Sequence, residues 1–160
     1  DPVYLAWKVK RHGKEVRFVE LARLINTQMP VYIVERIVYL LNEQARKKVF
    51  GSKILIVGVA YKANVPDVRE SPAVEIMEQL KELRASVSYH DPYVPQIKTE
   101  KDRWDSEPLT RQKLGSQDLV VLLTAHDHLN YGLIAKEARL VFDVRNALKN
   151  YPKREHIVKL

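Results

Sequence analysis

The feature that most constrains this chain is a change of rhythm at Gly51. From there strand-like and helix-like segments alternate to the end. KILIVGVA (Lys53–Ala60) is an apolar run of strand length with Gly58 inside it. Ser71 and Pro72 then supply a helix cap and a first-turn proline. In AVEIMEQLKEL, Val74, Met77, Leu80 and Leu83 recur at helical spacing. SVSYHD reads as a second strand. DLVVLLTA reads as a third, apolar throughout as a strand buried on both faces must be. YGLIAKEA is a short helix, RLVFDVRN a fourth strand and REHIVKL a terminal piece, while Val94–Gln112 is polar with little pattern. Strands joined through helices pack as parallel neighbours with right-handed crossovers.

Residues 1–48 have the other period. Phe18, Leu21, Ala22, Leu24 and Ile25 recur at helical spacing, and so do Val31, Val34, Ile37, Val38 and Leu41. Pro30 either kinks one long helix or opens a second, and the basic ARKK segment suits a helix C-terminus. The apolar positions spread more widely than one packed face needs. Such a helix is either buried on two sides within its own chain or shared with another subunit. The expected fold class is therefore α/β: a Rossmann-like parallel sheet flanked by helices, preceded by a helical segment with a long helix. The expected division is 1–48 and 49–160.

Composition narrows the function. The chain has no cysteine, which excludes disulfides and thiol chemistry within it. No run approaches the ~18 apolar residues of a membrane span, and no signal peptide is visible, so a cytoplasmic protein without a membrane partner is expected. The net charge of +7 favours anionic partners. Because the basic residues are spread along the chain, a single phosphate site is expected rather than nucleic-acid binding. The opening DPVYLAWK lacks a methionine and reads as part of a longer protein.

In an open parallel sheet, ligands bind beyond the carboxyl ends of the strands. Four loops fall there: Tyr61, Lys62, Asn64, Asp67 and Arg69 in the first, His90 and Asp91 in the second. The third carries Thr124, His126, Asp127 and His128, and the fourth Asp143, Arg145 and Asn146. Lys62, Arg69 and Arg145 are expected to converge on a polyanion, with Tyr61 placed to stack on a base. The competing account has the arginines pairing with Asp67, Glu70 and Asp143 to tie the loops down. Gly58 alone lacks the further glycines that let backbone cradle a pyrophosphate. His126 and His128 lie two residues apart in one loop, and no metal site is expected there.

The blocks GVAYKANVPDVRESPAVEIMEQL, VSYHDPYVP, DLVVLLTAHDHLNY and LVFDVRNAL, in that order, resemble the C-terminal UDP-binding domain of the UDP-glucose/GDP-mannose dehydrogenase family. The preceding DPVYLAWKVKRHGKEVRFVELARLINTQMPVYIVERI resembles the second half of that family's central helical domain. The wording is closest to the branch acting on UDP-N-acetylglucosamine or UDP-N-acetylmannosamine. The resemblance implies a nucleotide-sugar 6-dehydrogenase that oxidises a C6 alcohol to a carboxylate in two NAD-dependent steps through a cysteine thioester. It places Tyr61, Lys62 and Arg145 on the UDP-sugar and Arg69 toward NAD. Asp1 falls at the end of the cysteine motif. The cysteine and the main NAD site would precede residue 1, so the fragment itself is expected to be inactive. The resemblance also implies a homodimer through the long helix. The alternative is a stand-alone nucleotide-binding or regulatory module without catalysis.

Overall fold

A computed structural model of the chain describes residues 2–152 and 154–160. Two helices lead, α1 (Pro2–Arg11) and α2 (Arg17–Glu43). There follow β1 (Lys53–Val57), α3 (Pro72–Glu82), β2 (Ser86–His90), β3 (Gln96–Lys98), β4 (Arg103–Asp105) and α4 (Arg111–Ser116). The chain closes with β5 (Leu119–Leu122), α5 (Tyr131–Glu137), β6 (Val141–Asp143) and β7 (Ile157–Lys159).

Five strands form one parallel sheet in the order β2-β1-β5-β6-β7. The α/β class expected from the sequence is thus observed, with REHIVKL supplying the edge strand β7. Period-two alternation sorts the strand residues onto two faces. Ile54, Ile56, Leu119, Val121 and Phe142 join a core with α2 and α3. Leu55, Val57, Val120, Leu122 and Val141 join a second core with α4 and α5. Each fully buried Ile or Leu contributes roughly 1.5–3 kcal/mol, so both layers are well anchored. Ser71 caps α3 by accepting from the Ala73 N–H at 3.3 Å, with Pro72 in the first turn.

Pro30 does not divide the leading helices. It lies inside a continuous helix of 27 residues, about 40 Å long at 1.5 Å per residue. The missing N–H costs one bond back to Asn26, but packing of the following turns holds the helix together. All the buried residues of α2, namely Pro30, Ile33, Val34, Ile37, Leu40 and Leu41, lie from Pro30 onward. Phe18, Leu21, Leu24 and Ile25 are exposed, with Phe18 83% exposed. The first half therefore lies outside the sheet's core, with α1 as its neighbour among the described residues.

Two sequence readings are corrected here. The helix ends at Glu43, so the ARKK basic residues lie in the linker instead of the last turn. Lys47 there clips the linker to the sheet by donating to Asp118 Oδ1 at 2.8 Å, and the Lys53 N–H donates to Asp118 Oδ2 at 2.9 Å. Burial pushes the Asp118 carboxyl up, but these donors outweigh it and hold the group below the ordinary carboxylate range. The stretch from Val94 to Gln112 also carries structure, the antiparallel pair β3–β4. Ile97 and Trp104 face each other across it and pack on the core. With one such residue per three-residue strand, no period was readable.

Candidate functional site

The strand order reverses between β1 and β5, the position where open α/β sheets usually leave a crevice. Here main chain fills it. Gly58 has φ of +80°, and a Cβ on it would lie 2.1 Å from the Thr124 carbonyl oxygen. Thr124 Oγ1 donates to the Ala60 carbonyl at 2.6 Å, and the Leu123 N–H to the Val57 carbonyl at 3.0 Å. The single glycine thus serves close contact between two strand-end turns. That is why one suffices where a phosphate-cradling turn needs several.

Two buried aspartates organise the neighbouring loops. Asp91, 2% exposed, accepts from the Val59 and Ala60 N–H groups at 2.7 and 3.0 Å through Oδ2. Its Oδ1 accepts from the Tyr93 and Val94 N–H groups at 2.8 and 3.2 Å. The fully buried His126 donates Nε2–H to Asp91 Oδ2 at 2.9 Å. Burial pushes the Asp91 carboxyl up, yet the Tyr93 and Val59 N–H groups, His126 and Ala60 together hold it below its ordinary value. Asp143 plays the same part after β6, accepting from the N–H groups of Arg145, Ala147 and Leu148 at 3.2, 2.9 and 2.8 Å. Its partners among the described residues are backbone amides, so the pairing of Asp143 with an arginine in the competing loop-tying account does not occur there.

The loop after β1 is clamped to the loop after β5. Asn64, in left-handed backbone with φ of 63°, donates its N–H to His126 Nδ1 at 2.9 Å. Its side chain donates Nδ2–H to Asp127 Oδ2 at 2.7 Å and accepts the Asp127 N–H at 3.0 Å. Further along, Arg69 grips Asp67 in a fork, Nε to Oδ1 at 3.0 Å and a terminal nitrogen to Oδ2 at 2.9 Å. The Arg69 side chain and its backbone N–H bring the Asp67 carboxyl down to about 2. The pair is exposed, so it is cheap to open.

A cleft of about 610 Å³ lies between α2 and the carboxyl ends of the sheet. Met29, Pro30 and Ile33 line one wall; Tyr61, Ser71, Leu123, Val144 and Arg145 line the other. The structure thus brings Tyr61 and Arg145 together in one cleft. Lys62 does not line the cleft; its Nζ lies 5.9 Å from the centre of the Tyr61 ring. Arg69 does not line the cleft but is held by Asp67, as the loop-tying account has it, so three cations do not converge. Among the described residues the side chains of Lys62 and Arg145 enter no ion pair, and both residues are exposed. Asp1 lies outside the described residues.

Sequence reasoning named Asp91 and His126 but did not join them. The signal was Asp91 directly after a strand and before Pro92, where a carboxylate accepts backbone N–H groups one turn on. Nothing in the spacing of positions 91 and 126 links the two.

A doubly wound parallel sheet with a cleft at its strand ends defines the class: an α/β domain of the kind that holds nucleotides. Residues 55–150 match the family model described as the UDP-glucose/GDP-mannose dehydrogenase family, UDP binding domain. The chain belongs to this family. It is 29% identical over 154 residues to a UDP-N-acetyl-D-mannosamine dehydrogenase of Methanococcus maripaludis, covering 90% of this chain and 34% of the relative. It is 26% identical to a UDP-N-acetyl-D-glucosamine 6-dehydrogenase of Pseudomonas aeruginosa, covering 92% and 36%. In fold it resembles the UDP-D-ManNAc dehydrogenase of Pyrococcus horikoshii, with a TM-score of 0.71, 24% identity and coverage of 91% and 34%. The chain therefore spans about a third of the length of the curated relatives it matches. Among the described residues no helix is long and apolar enough to cross a membrane.

Proposed function

We propose that this chain is the nucleotide-sugar-binding part of an NAD-dependent UDP-sugar 6-dehydrogenase, with Tyr61, Lys62 and Arg145 on the substrate. The observation that carries this is the cleft shared by Tyr61 and Arg145 at the strand ends, in a volume of about 610 Å³. That size lies within the ~300–1,000 Å³ of small-molecule sites. Tyr61 offers a ring for uracil, Arg145 a forked donor for phosphate, and Lys62 a mobile charge beside Tyr61. Residues 49–160 form the binding domain, and 1–48 belong to a helical dimerisation region. NAD is held mainly by the rest of the whole protein, which works in the cytoplasm. Arg69 meets NAD after releasing Asp67, and Asp1 closes the cysteine motif.

The test is calorimetric titration with UDP, GDP and NAD. UDP is expected to bind in preference to the other two. Arg145→Ala should weaken UDP about tenfold or more, and Tyr61→Ala by a similar factor through lost stacking. Lys62→Ala should cost less, about threefold, as an exposed point charge. Absence of UDP binding by the folded chain would overturn the assignment of these residues.

A second copy of the chain covers α1 and the first half of α2 in this reading. Phe18, Leu21, Leu24 and Ile25 supply the apolar surface. Sedimentation should find a dimer, weakened about a hundredfold or more by Leu21→Glu with Leu24→Glu, since each change buries an unpaired charge. An unchanged sedimentation coefficient would reject the pairing.

A further inference from the structure

His126 is fully buried and does not line the cleft. Its ring joins three strand-end loops. Nε2–H is donated to Asp91 Oδ2, which also accepts the Val59 and Ala60 N–H groups at the stem of the loop after β1. Nδ1 accepts the Asn64 N–H at 2.9 Å, near the apex of the same loop. Because a backbone amide can only donate, Nδ1 carries no proton, and the carboxylate facing the other nitrogen fixes that tautomer. The ring is boxed in by Tyr93, at 5.0 Å between ring centres, and its own carbonyl accepts the Tyr131 hydroxyl at 2.8 Å. Neither the ring nor its partners can turn without opening a buried hydrogen bond.

Tyr61 and Lys62 lie between the two anchor points, after Val59 and Ala60 and before Asn64. Their own side chains make no hydrogen bond among the described residues that fixes where they sit, and both residues are exposed. The loop backbone is therefore what aims them. We infer that His126 is a positioning residue for nucleotide-sugar binding: through Nδ1 it holds Asn64 in left-handed backbone, so that Tyr61 and Lys62 are presented at the cleft. The inference rests on the UDP-site reading for its ligand, but its structural part is testable without one.

Two substitutions separate the two ring nitrogens. His126→Asn places an amide oxygen near the position of Nδ1 and can still accept from Asn64. His126→Gln reaches Asp91 in the manner of Nε2 but offers Asn64 no acceptor. Both remove the same buried ring, so a purely structural role lowers the melting temperature of both alike and leaves them equivalent in other respects. A positioning role separates them. The Asn64 amide should exchange with solvent about tenfold faster in His126→Gln than in His126→Asn, and UDP should bind about tenfold more weakly. Equal exchange of Asn64 in the two variants overturns the inference. So does equal UDP affinity when the unsubstituted chain binds UDP. If the unsubstituted chain binds no UDP, the functional reading fails, while the exchange comparison still decides the role of His126. Nitrogen NMR of the unsubstituted chain tests the tautomer without any variant. A proton on Nε2 and a hydrogen-bonded, unprotonated Nδ1 are expected, and a proton on Nδ1 overturns the proposal.

Discussion

Gly58→Ala is expected to leave the chain without a stable native fold. The added methyl would sit 2.1 Å from the Thr124 carbonyl oxygen, and 2.8 Å from both the carbon and the nitrogen of that residue's backbone. No side chain can rotate away from such a clash, because every atom concerned is main chain. The positive φ adds strain of its own. Moving Thr124 would break its hydroxyl bond to Ala60 and the Leu123–Val57 bond that continues the β1–β5 ladder. The expected loss is about 4 kcal/mol or more, among the largest for a single substitution. Urea unfolding followed by circular dichroism measures it. A loss under about 1 kcal/mol would show that the two turns are not in contact.

The second large effect is expected at Asp91. Asp91→Asn keeps the shape but turns one acceptor oxygen into a donor, facing N–H groups from Val59, Ala60, Tyr93 or Val94, or the His126 ring. Leaving such buried donors unpaired should cost about 3–5 kcal/mol. The pH dependence has a definite sign. The folded-state pKa of Asp91 is depressed, so its contribution is fully present above the unfolded value of about 4 and is lost as pH falls through the folded value. Asp118 acts in the same direction. The parent chain should therefore lose stability on acidification below about pH 4, and Asp91→Asn should flatten that slope while lowering the plateau. An unchanged acid slope in the variant would place the titrating group elsewhere.

The parallel sheet was legible because β1 and β5 are continuous apolar runs and Ser71-Pro72 punctuates the start of α3. The blocks quoted from Gly58 to Leu148 carried the family, and the match over residues 55–150 agrees with them. What escaped was whatever depends on pairing across loops. The fork between Arg69 and Asp67 is local, two residues apart, and was foreseen as one of two options. The bond from His126 to Asp91 joins positions 35 residues apart, and only the strand order brings them together. The β3–β4 hairpin escaped because tertiary packing of Ile97 and Trp104 holds it, without any repeating pattern.

The long helix α2 has a consequence for how this chain unfolds. From Pro30 onward it belongs to the sheet's core, whereas its first half and α1 lean mainly on each other. The chain's two tryptophans report on the two parts separately, Trp7 on α1 and Trp104 on the hairpin beside the sheet. In the isolated chain the arm is expected to melt before the sheet, as Trp7 and Trp104 fluorescence followed on heating would show, with the break in cooperativity at the proline inside one unbroken helix. A single free energy of unfolding then describes neither part.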